Sequence, residues 1–248
     1  MAAWAVGEGL ALDAEVVLDP DTVERFVAVA LVDDRSRATY RTVLRRVGPL
    51  LTMKAPWEAK PAPVARRNVA VPYTDRQLDA LRVAAVAQPT PGKVRAARAL
   101  LALGAGAGLD GRWVAQVAAV DVSEREEVVL IRVGEPGARV VPVLAAWERE
   151  VLDLAETAGG DFLVGGWSTA RNRAGALAAS LAVGNGNPRF SASRLRSTWL
   201  VTHLAMGTRL PELAQAAGLQ GVTVLADLLP FISTLDDDAT LKMLRGAR

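Results

Sequence analysis

The sequence has 248 residues, the length of one or two domains. An apolar fraction of 51% and a charged fraction of 23% are typical of a globular chain and exclude a disordered one. The absence of cysteine excludes disulfides, zinc–thiolate sites and a cysteine nucleophile, and the single histidine, His203, excludes a site built from several histidines. We therefore expect neither a bound metal nor a cofactor.

The start of the sequence does not resemble a targeting segment. Residues 1–19 are apolar but acidic, whereas a signal peptide begins with basic residues. No uninterrupted apolar stretch reaches the ~18 residues that a membrane-spanning helix needs. These observations predict a cytoplasmic protein without a membrane partner.

The formal net charge of +2 conceals an uneven distribution of charge along the chain. Residues 1–34 carry a net charge of −7, residues 35–98 a net charge of +11, and residues 99–248 a net charge of −2. Within the last segment, residues 171–209 include six arginines and no acidic residue. Two such tracts indicate surfaces that face a polyanion, or else solvated helix faces on which arginine replaces lysine.

Capping and linker signals organise the first part of the chain. The pair Asp19–Pro20 predicts the start of one helix, and Ser36 is predicted to cap a second helix that runs to about Leu51. Residues 54–72 are rich in proline and include Arg66 and Arg67, which predicts an extended basic linker.

The remainder of the chain is predicted to be mostly helical. Thr74 and Gln77 have the spacing of a capping box ahead of an apolar stripe. The β-branched run Val128–Val133 and the run Arg139–Val143 are predicted to form a hairpin. Further helices are predicted at about 92–103, 113–120, 145–158, 168–182, 191–206, 210–218, 222–230 and 236–245. The fold class is therefore mainly α with a small β-hairpin or sheet.

The residues Leu195–Trp199 read Leu-Arg-Ser-Thr-Trp, and Gly207 and Gly218 follow Arg196 at intervals of eleven residues. This pattern resembles the catalytic domain of the tyrosine recombinases, or phage integrases. That family has a Leu-Arg-x-Thr-aromatic helix, a glycine that ends it, and a following helix that ends in Leu-Gly-His. The resemblance extends backwards through the hairpin and covers nearly the whole chain.

The resemblance implies a division of the chain into two domains. Residues 1–53 would be a small helical domain similar to a core-binding domain, and residues 54–72 a basic, proline-rich linker. Residues 73–248 would then be a tyrosine-recombinase-like catalytic domain.

The catalytic residues of the resembled family are mostly missing. That family uses two arginines to hold the scissile phosphate, a lysine and histidines to move protons, and a tyrosine as the nucleophile. Here Arg196 occupies the position of the second arginine, and Arg112 lies two residues beyond the position of the first. The degenerate positions, in chain order, are Asp110 for the first arginine, Glu135 for the lysine, Ser193 and Leu219 for the histidines, and Leu228 for the tyrosine.

The chain has only two tyrosines, Tyr40 and Tyr73, and both precede the tyrosine position by more than one hundred residues. The resemblance therefore predicts a catalytically inactive protein that binds double-stranded DNA, with the two domains clamping the duplex. It would act as a regulator, an accessory factor or an architectural factor, and would be associated with the nucleoid. The arginines predicted to contact DNA are Arg41, Arg45, Arg66, Arg67, Arg112, Arg139, Arg194 and Arg196.

An alternative function is a protein–protein interaction module that has lost its DNA-binding face. The apolar segment from Leu228 to Ile232 would then contact a partner or a second copy of the chain.

Two other motifs compete with this interpretation. The spacing Gly106-x-Gly108-x-x-Gly111, with Glu126 and Glu127 further on, matches a dinucleotide-binding fingerprint. The segment 213–225 has the pattern of a helix-turn-helix, although its second helix has no basic residue. The lone His203 is predicted to be a packed residue rather than a catalytic one.

Overall fold

The computed structural model describes residues 1–57, 70–134, 138–165 and 172–246. The chain divides into two compact units, Met1–Asn68 and Val69–Arg248. The division falls within the segment predicted as a linker, most of which lies outside the described residues. The assignment of the first unit as a core-binding-like domain stays a prediction.

The described part of the first unit consists of four helices. Their bounds are α1 Ala2–Gly7, α2 Ala14–Val17, α3 Pro20–Val29 and α4 Asp34–Leu51. The predicted cap of α3 is confirmed, since the Asp19 carboxylate accepts a hydrogen bond from the backbone N–H of Asp21 at 2.9 Å. The predicted cap of α4 is wrong: Asp33 caps this helix and accepts from the backbone N–H of Ser36 at 2.8 Å.

The first unit has a small apolar core. Val23, Phe26 and Val27 of α3 are buried, and the ring of Phe26 lies 5.4 Å from that of Trp4. Helix α4 is the longer element, yet Gly48 is its one buried residue. Much of this unit is therefore held by polar contacts rather than by burial.

The second unit holds the remaining helices and the sheet. The helices among its described residues are α5 Asp75–Val86, α6 Pro91–Leu101, α7 Gly111–Val114, α8 Ala145–Ala158, α9 Arg173–Ser180, α10 Ala192–Ala205, α11 Leu210–Ala217, α12 Thr223–Ala226 and α13 Asp237–Leu244. The strands are β1 Val122–Arg125, β2 Val128–Val133 and β3 Arg139–Pro142. The capping box of Thr74 and Gln77 at the start of α5 is confirmed.

The three strands form one antiparallel sheet in the order β1-β2-β3. The predicted hairpin of β2 and β3 is confirmed, with Ile131 opposite Val141. Strand β1, which the sequence did not predict, pairs along the other edge of β2, with Val122 opposite Ile131. The sheet packs against α8 through β1 and β2 and against α11 through β3. The core of this unit includes the large buried side chains of Trp199, Leu100 and Leu195.

Two segments differ from their predicted form. The single helix predicted at 113–120 is instead α7 followed by a short 3₁₀ turn at Ala119–Asp121. The helix predicted at 222–230 is broken into α12 and a 3₁₀ turn at Leu229–Phe231, where Pro230 has no N–H to continue the helix. A recognition helix of four residues is too short to span a major groove, which removes the helix-turn-helix interpretation.

The dinucleotide fingerprint is also contradicted. The glycines from Gly106 to Gly111 follow α6 and a π-helical turn at Ala102–Gly106, whereas the fingerprint requires a preceding strand in a parallel sheet. Among the described residues the sheet is antiparallel throughout. No helix in the described ranges is long and apolar enough to cross a membrane.

Candidate nucleic-acid interface

Leu228, which the sequence resemblance predicts to stand at the nucleophile position, is part of the hydrophobic core. Leu228 is completely buried, and its backbone N–H donates to the Leu225 carbonyl at 3.0 Å. Leu219 is partly buried and packs against the same core. Ser193 is exposed at the start of α10, with its Oγ 3.0 Å from the Oγ of Ser191. Glu135 lies outside the described residues.

Arg196 is bound to the protein's own backbone. One of its Nη atoms donates to the Gly108 carbonyl, and the other donates to the Ala217 carbonyl at 2.6 Å. Burial lowers the pKa of the Arg196 guanidinium, an effect that nearby Asp110 opposes. Ala217 is the last residue of α11, whose terminal carbonyls lack partners within the helix, so a cation placed there stabilises the helix end.

Arg139, on strand β3, also binds the C-terminal end of α11. Its Nε donates to the Ala216 carbonyl at 2.8 Å. Burial lowers the pKa of Arg139, and Asp110 again acts in the opposite direction. We call Arg139, Arg196 and the carbonyls that they bind the arginine clasp. The structure thus brings together two of the predicted DNA-contacting arginines, but with donors directed at backbone oxygens.

Asp110 supplies negative charge beside the arginine clasp. Its carboxylate caps α7 by accepting from the backbone N–H groups of Arg112 at 3.0 Å and Trp113 at 3.2 Å. A carboxylate at this place would repel a phosphate that approached the clasp. The clasp therefore has the features of an internal structural contact more than of an open anion site.

Arg194 lies on the other side of α10 from Arg196, because residues two apart on a helix point in nearly opposite directions. Its Nε donates to the Val71 carbonyl at 2.8 Å, and one Nη donates to Gln77 Oε1 at 3.0 Å. Its guanidinium also lies 3.9 Å from the ring centroid of Tyr73. Arg194 therefore fixes the start of the second unit.

The two predicted arginines of α4 share one acidic partner. The Nε of Arg41 lies 2.7 Å from an oxygen of Glu24 on α3, and Arg45 contacts the other oxygen of that carboxylate. Burial raises the pKa of Glu24, but the hydrogen bonds from Arg41 and Arg45 outweigh burial and lower that pKa overall. Both arginine side chains are mostly buried, at 14% and 13% exposure. Arg66 and Arg67 lie outside the described residues.

Arg112 is the predicted arginine that stays exposed, with its guanidinium 5.0 Å from the Trp113 ring centroid. The neighbouring Gly111 marks where the first turns of three helices meet. A Cβ built on Gly111 would lie 3.4 Å from that of Ala174 in α9 and 3.8 Å from that of Ala192 in α10. Arg112 thus projects from the point at which α7, α9 and α10 begin.

Several exposed arginines were not among those predicted to contact DNA, and two of them are Arg189 and Arg46. Arg189 lies three residues before α10, and Arg46 lies on the opposite side of α4 from Glu24. Neither side chain makes a hydrogen bond or an ion pair within the described residues. A signal for Arg46 was present, because the α4 residues that face α3 include Arg41 and Arg45, which leaves Arg46 on the outer face.

His203 is a packed residue. Its Nδ1 lies 3.0 Å from the Thr208 hydroxyl, and its ring lies 4.4 Å from the Trp199 ring in an edge-on arrangement. Burial lowers the pKa of His203.

The Tyr73 hydroxyl donates to the Arg189 carbonyl, and burial raises the pKa of that phenol.

Comparison with solved structures identifies the fold. The XerH site-specific recombinase bound to a palindromic difH substrate, in a post-cleavage complex, matches 91% of this chain and 69% of its own chain, with a TM-score of 0.56 and 13% identity. The Tn1549 transposon integrase in complex with a circular intermediate DNA matches 95% of this chain and 87% of its own chain, with a TM-score of 0.55 and 15% identity. The fold is similar to that of these DNA-bound recombinases and integrases. No protein-family model and no curated protein sequence matches the chain.

The tyrosine-recombinase-like fold accounts for the mostly helical architecture with a three-stranded antiparallel sheet. At these identities the similarity describes the fold alone. The predicted mainly α fold with a small β-sheet is confirmed, whereas the core-binding-like assignment of the first unit, the predicted DNA contacts and the predicted loss of catalysis stay predictions.

Proposed function

We propose that this protein is a degenerate relative of the tyrosine recombinases that binds duplex DNA without cleaving it. The observation that supports the proposal is a recombinase-like fold in which Leu228, the residue that the sequence resemblance assigns to the nucleophile position, is fully buried. Two proteins of similar fold have been solved bound to DNA, which supports the choice of duplex DNA as the partner.

The proposed loss of catalysis follows from chemistry. Covalent attack on phosphorus requires a nucleophilic oxygen, and a leucine side chain has none. Tyr73 cannot substitute readily, since its hydroxyl is bound to the Arg189 carbonyl and the residue is 4% exposed. The arginine clasp donates to backbone carbonyls and faces Asp110, so transition-state charge at a phosphate would gain little stabilisation there.

The proposed DNA contacts rest on exposed arginines. In the second unit Arg112 and Arg189 are exposed beside the starts of α7 and α10, and in the first unit Arg46 is exposed on α4. Arg66 and Arg67 of the basic segment would add further contacts. Such side chains bind phosphates, which gives affinity that depends strongly on salt but carries little sequence information. The biological role would be that of a regulator, an accessory factor or an architectural factor acting at the chromosome or a mobile element.

A second candidate function is protein–protein interaction. Within the segment predicted to contact a partner, Leu228 is buried in the core, whereas Leu229 and Phe231 are 62% and 39% exposed. The C-terminal helix α13 offers a further apolar surface. No residue of α13 is buried, and Leu241, Met243 and Leu244 are 66%, 67% and 82% exposed. Exposed apolar side chains of this density are typical of interaction surfaces. A chain that self-associates but has no duplex affinity would favour this candidate over DNA binding.

The proposal is tested by two measurements on the full chain. The first incubates the protein with a nicked suicide duplex and searches for a covalent protein–DNA adduct, which we expect to be absent. The second compares duplex affinity for Arg112→Ala combined with Arg189→Ala against the charge-matched control Arg149→Ala combined with Arg125→Ala, in which Arg125 is exposed on β1 and lies 3.8 Å from Glu126. Arg149 is also exposed, but lies on α8 and pairs with Asp153 at 3.0 Å.

We expect the double variant to lose roughly tenfold in affinity and to reduce the slope of log affinity against log salt by about two, while the control changes little. A covalent adduct would overturn the proposed inactivity. An equal loss in the double variant and the control would overturn the proposed contact surface.

A further inference from the structure

A cavity of about 420 Å³ lies between helices α6 and α8 of the second unit, away from the arginine clasp. The exposed face of α6 and the chain that leads into it form one wall, and Leu154 and Thr157 of α8 form the other. Small-molecule sites in proteins usually have volumes of about 300–1,000 Å³. The cavity is therefore large enough for a compact organic molecule.

Helical geometry explains why these α6 residues line one cavity. Pro91, Val94, Arg95 and Arg98 are three or four residues apart and so share a face of the helix. Pro89 continues the apolar surface on the incoming chain. A largely apolar wall with two guanidinium groups on one side is the result.

The guanidinium groups of Arg98 and Arg95 differ in how many close hydrogen bonds they make within the protein. Arg98 makes two hydrogen bonds to the Glu150 carboxylate, at 2.5 Å and 3.0 Å, and these raise the pKa of Arg98. Arg95 makes only long contacts within the described residues, at 3.5 Å to the Phe162 carbonyl and 3.8 Å to the Asp161 carboxylate. The charge of Arg98 is therefore compensated, and that of Arg95 is weakly compensated.

Arg95 is also substantially buried, with a side-chain exposure of 23%. A guanidinium has five N–H donors in a planar fork, and leaving such donors without partners away from water is unfavourable. A carboxylate matches two of these donors in a bidentate pair, which is among the strongest polar contacts in proteins. Arg95 therefore keeps N–H donors for an anion beside its long contacts to Phe162 and Asp161, and the apolar wall of this solvent-open cleft can hold an attached apolar body.

We propose that this cavity binds a small carboxylate with an aromatic or aliphatic body, with the carboxylate on Arg95 and the body against Val94, Pro91 and Leu154. This inference does not depend on DNA binding, because it uses neither the arginine clasp nor the exposed arginines of α4, α7 and the segment before α10.

The test titrates 2-naphthoate into the isotope-labelled full chain and follows backbone and arginine side-chain resonances by NMR. The neutral analogue 2-naphthamide is titrated in parallel. Arg95→Met removes the charge from the cavity, and Lys93→Met removes one charge from the same helix without touching the cavity, since Lys93 donates to the Ser180 carbonyl at 2.8 Å.

We expect saturable binding of 2-naphthoate with shift changes confined to residues 88–98 and 154–157. Affinity should fall at least tenfold in Arg95→Met and for 2-naphthamide, and less than twofold in Lys93→Met. If Arg95→Met does not fold, the difference in affinity between 2-naphthoate and 2-naphthamide for the unaltered chain still tests the proposal. Absence of saturable binding, shifts elsewhere in the chain, or equal affinities for acid and amide would overturn the proposal.

Discussion

The guanidinium of Arg196 donates to the Ala217 carbonyl at 2.6 Å, and thereby joins the middle of the second unit's core helix to the end of α11. The sequence resemblance predicted that this arginine would hold a phosphate. Here its second hydrogen bond goes to the Gly108 carbonyl, so both ends of the guanidinium are bound by the protein. We therefore expect substitution of Arg196 to lower the stability of the fold.

Arg196→Met should lower the free energy of unfolding by about 2–3 kcal/mol, because two charge-assisted hydrogen bonds are lost and two buried carbonyls lose their donor. Urea denaturation followed by circular dichroism measures the change. Arg112→Met serves as the control, and we expect it to stay within about 0.5 kcal/mol since that side chain is exposed. Equal stability of the two variants would contradict a structural role for Arg196.

The substitution Gly218→Ala tests whether the contact of Arg139 with the Ala216 carbonyl holds the Arg139 side chain in place. Gly218 ends α11 with φ +64°, and a Cβ there would lie 2.7 Å from an Arg139 Nη atom. Gly207 has a similar φ of +73° with nothing within 4 Å of its Cβ position. Gly207→Ala should cost about 1 kcal/mol from backbone strain alone, and Gly218→Ala about 1 kcal/mol more.

Thermal unfolding of the two alanine variants gives the comparison directly. A guanidinium free to swing away would absorb the added Cβ without cost. Equal destabilisation of Gly218→Ala and Gly207→Ala would thus show that the Arg139 contact to Ala216 is weak.

Glu24 forms ion pairs with Arg41 and Arg45, two arginines that the sequence analysis predicted to contact DNA. Replacement Glu24→Gln should release Arg41 and Arg45, with a loss of stability of about 1 kcal/mol or less because the carboxylate is 37% exposed. Under the DNA-binding proposal, duplex affinity at low salt should rise by about threefold. Fluorescence anisotropy on a labelled duplex measures that rise.

The matched control for this prediction is Glu8→Gln, which changes charge equally in the same unit but frees only Arg25. We expect a smaller gain in affinity from the control. If Glu24→Gln left duplex affinity unchanged, Arg41 and Arg45 would have no part in DNA binding.

His203 should make stability depend on pH near neutrality. Burial lowers its pKa from 6.5, so the unfolded chain takes up a proton at a higher pH than the folded chain does. The free energy of unfolding should therefore be constant above about pH 7.5 and fall as the pH decreases through 6.5 towards the folded-state pKa. The carboxylates with lowered pKa values, among them Glu15 and Glu24, act only at more acidic pH.

Urea denaturation of the original chain and of His203→Phe between pH 5 and pH 8 isolates this contribution. The variant should lose most of the slope. A slope that persists unchanged in His203→Phe would show that another group is responsible.

Local signals in the sequence were sufficient for much of the fold. The Thr74–Gln77 capping box, the apolar periodicity of α8 and the β-branched run of β2 each depend on neighbours within a few residues, and the structure contains all three. Strand β1 was missed because its sequence, Val-Ser-Glu-Arg, has little intrinsic strand character and forms by pairing with β2.

The partners of the arginines could not be read from the sequence. Arg41 and Glu24 are 17 residues apart, Arg196 and Ala217 are 21 apart, and Arg139 and Ala216 are 77 apart. Each contact arises only when helices and strands pack, so local charge patterns identify basic surfaces without showing which cations are already bound. This is why the exposed Arg46 and Arg189 were overlooked and the bound arginines favoured.

The central claim is that the chain binds duplex DNA through exposed arginines and does not cleave it. Its most direct test is the affinity for a fluorescent duplex measured by anisotropy across a series of salt concentrations. With about four phosphate contacts, affinity should fall roughly 150-fold between 50 mM and 200 mM salt, with a slope of about −3.6 in log–log coordinates. No measurable affinity at 50 mM salt, or an affinity that does not change with salt, would contradict the account.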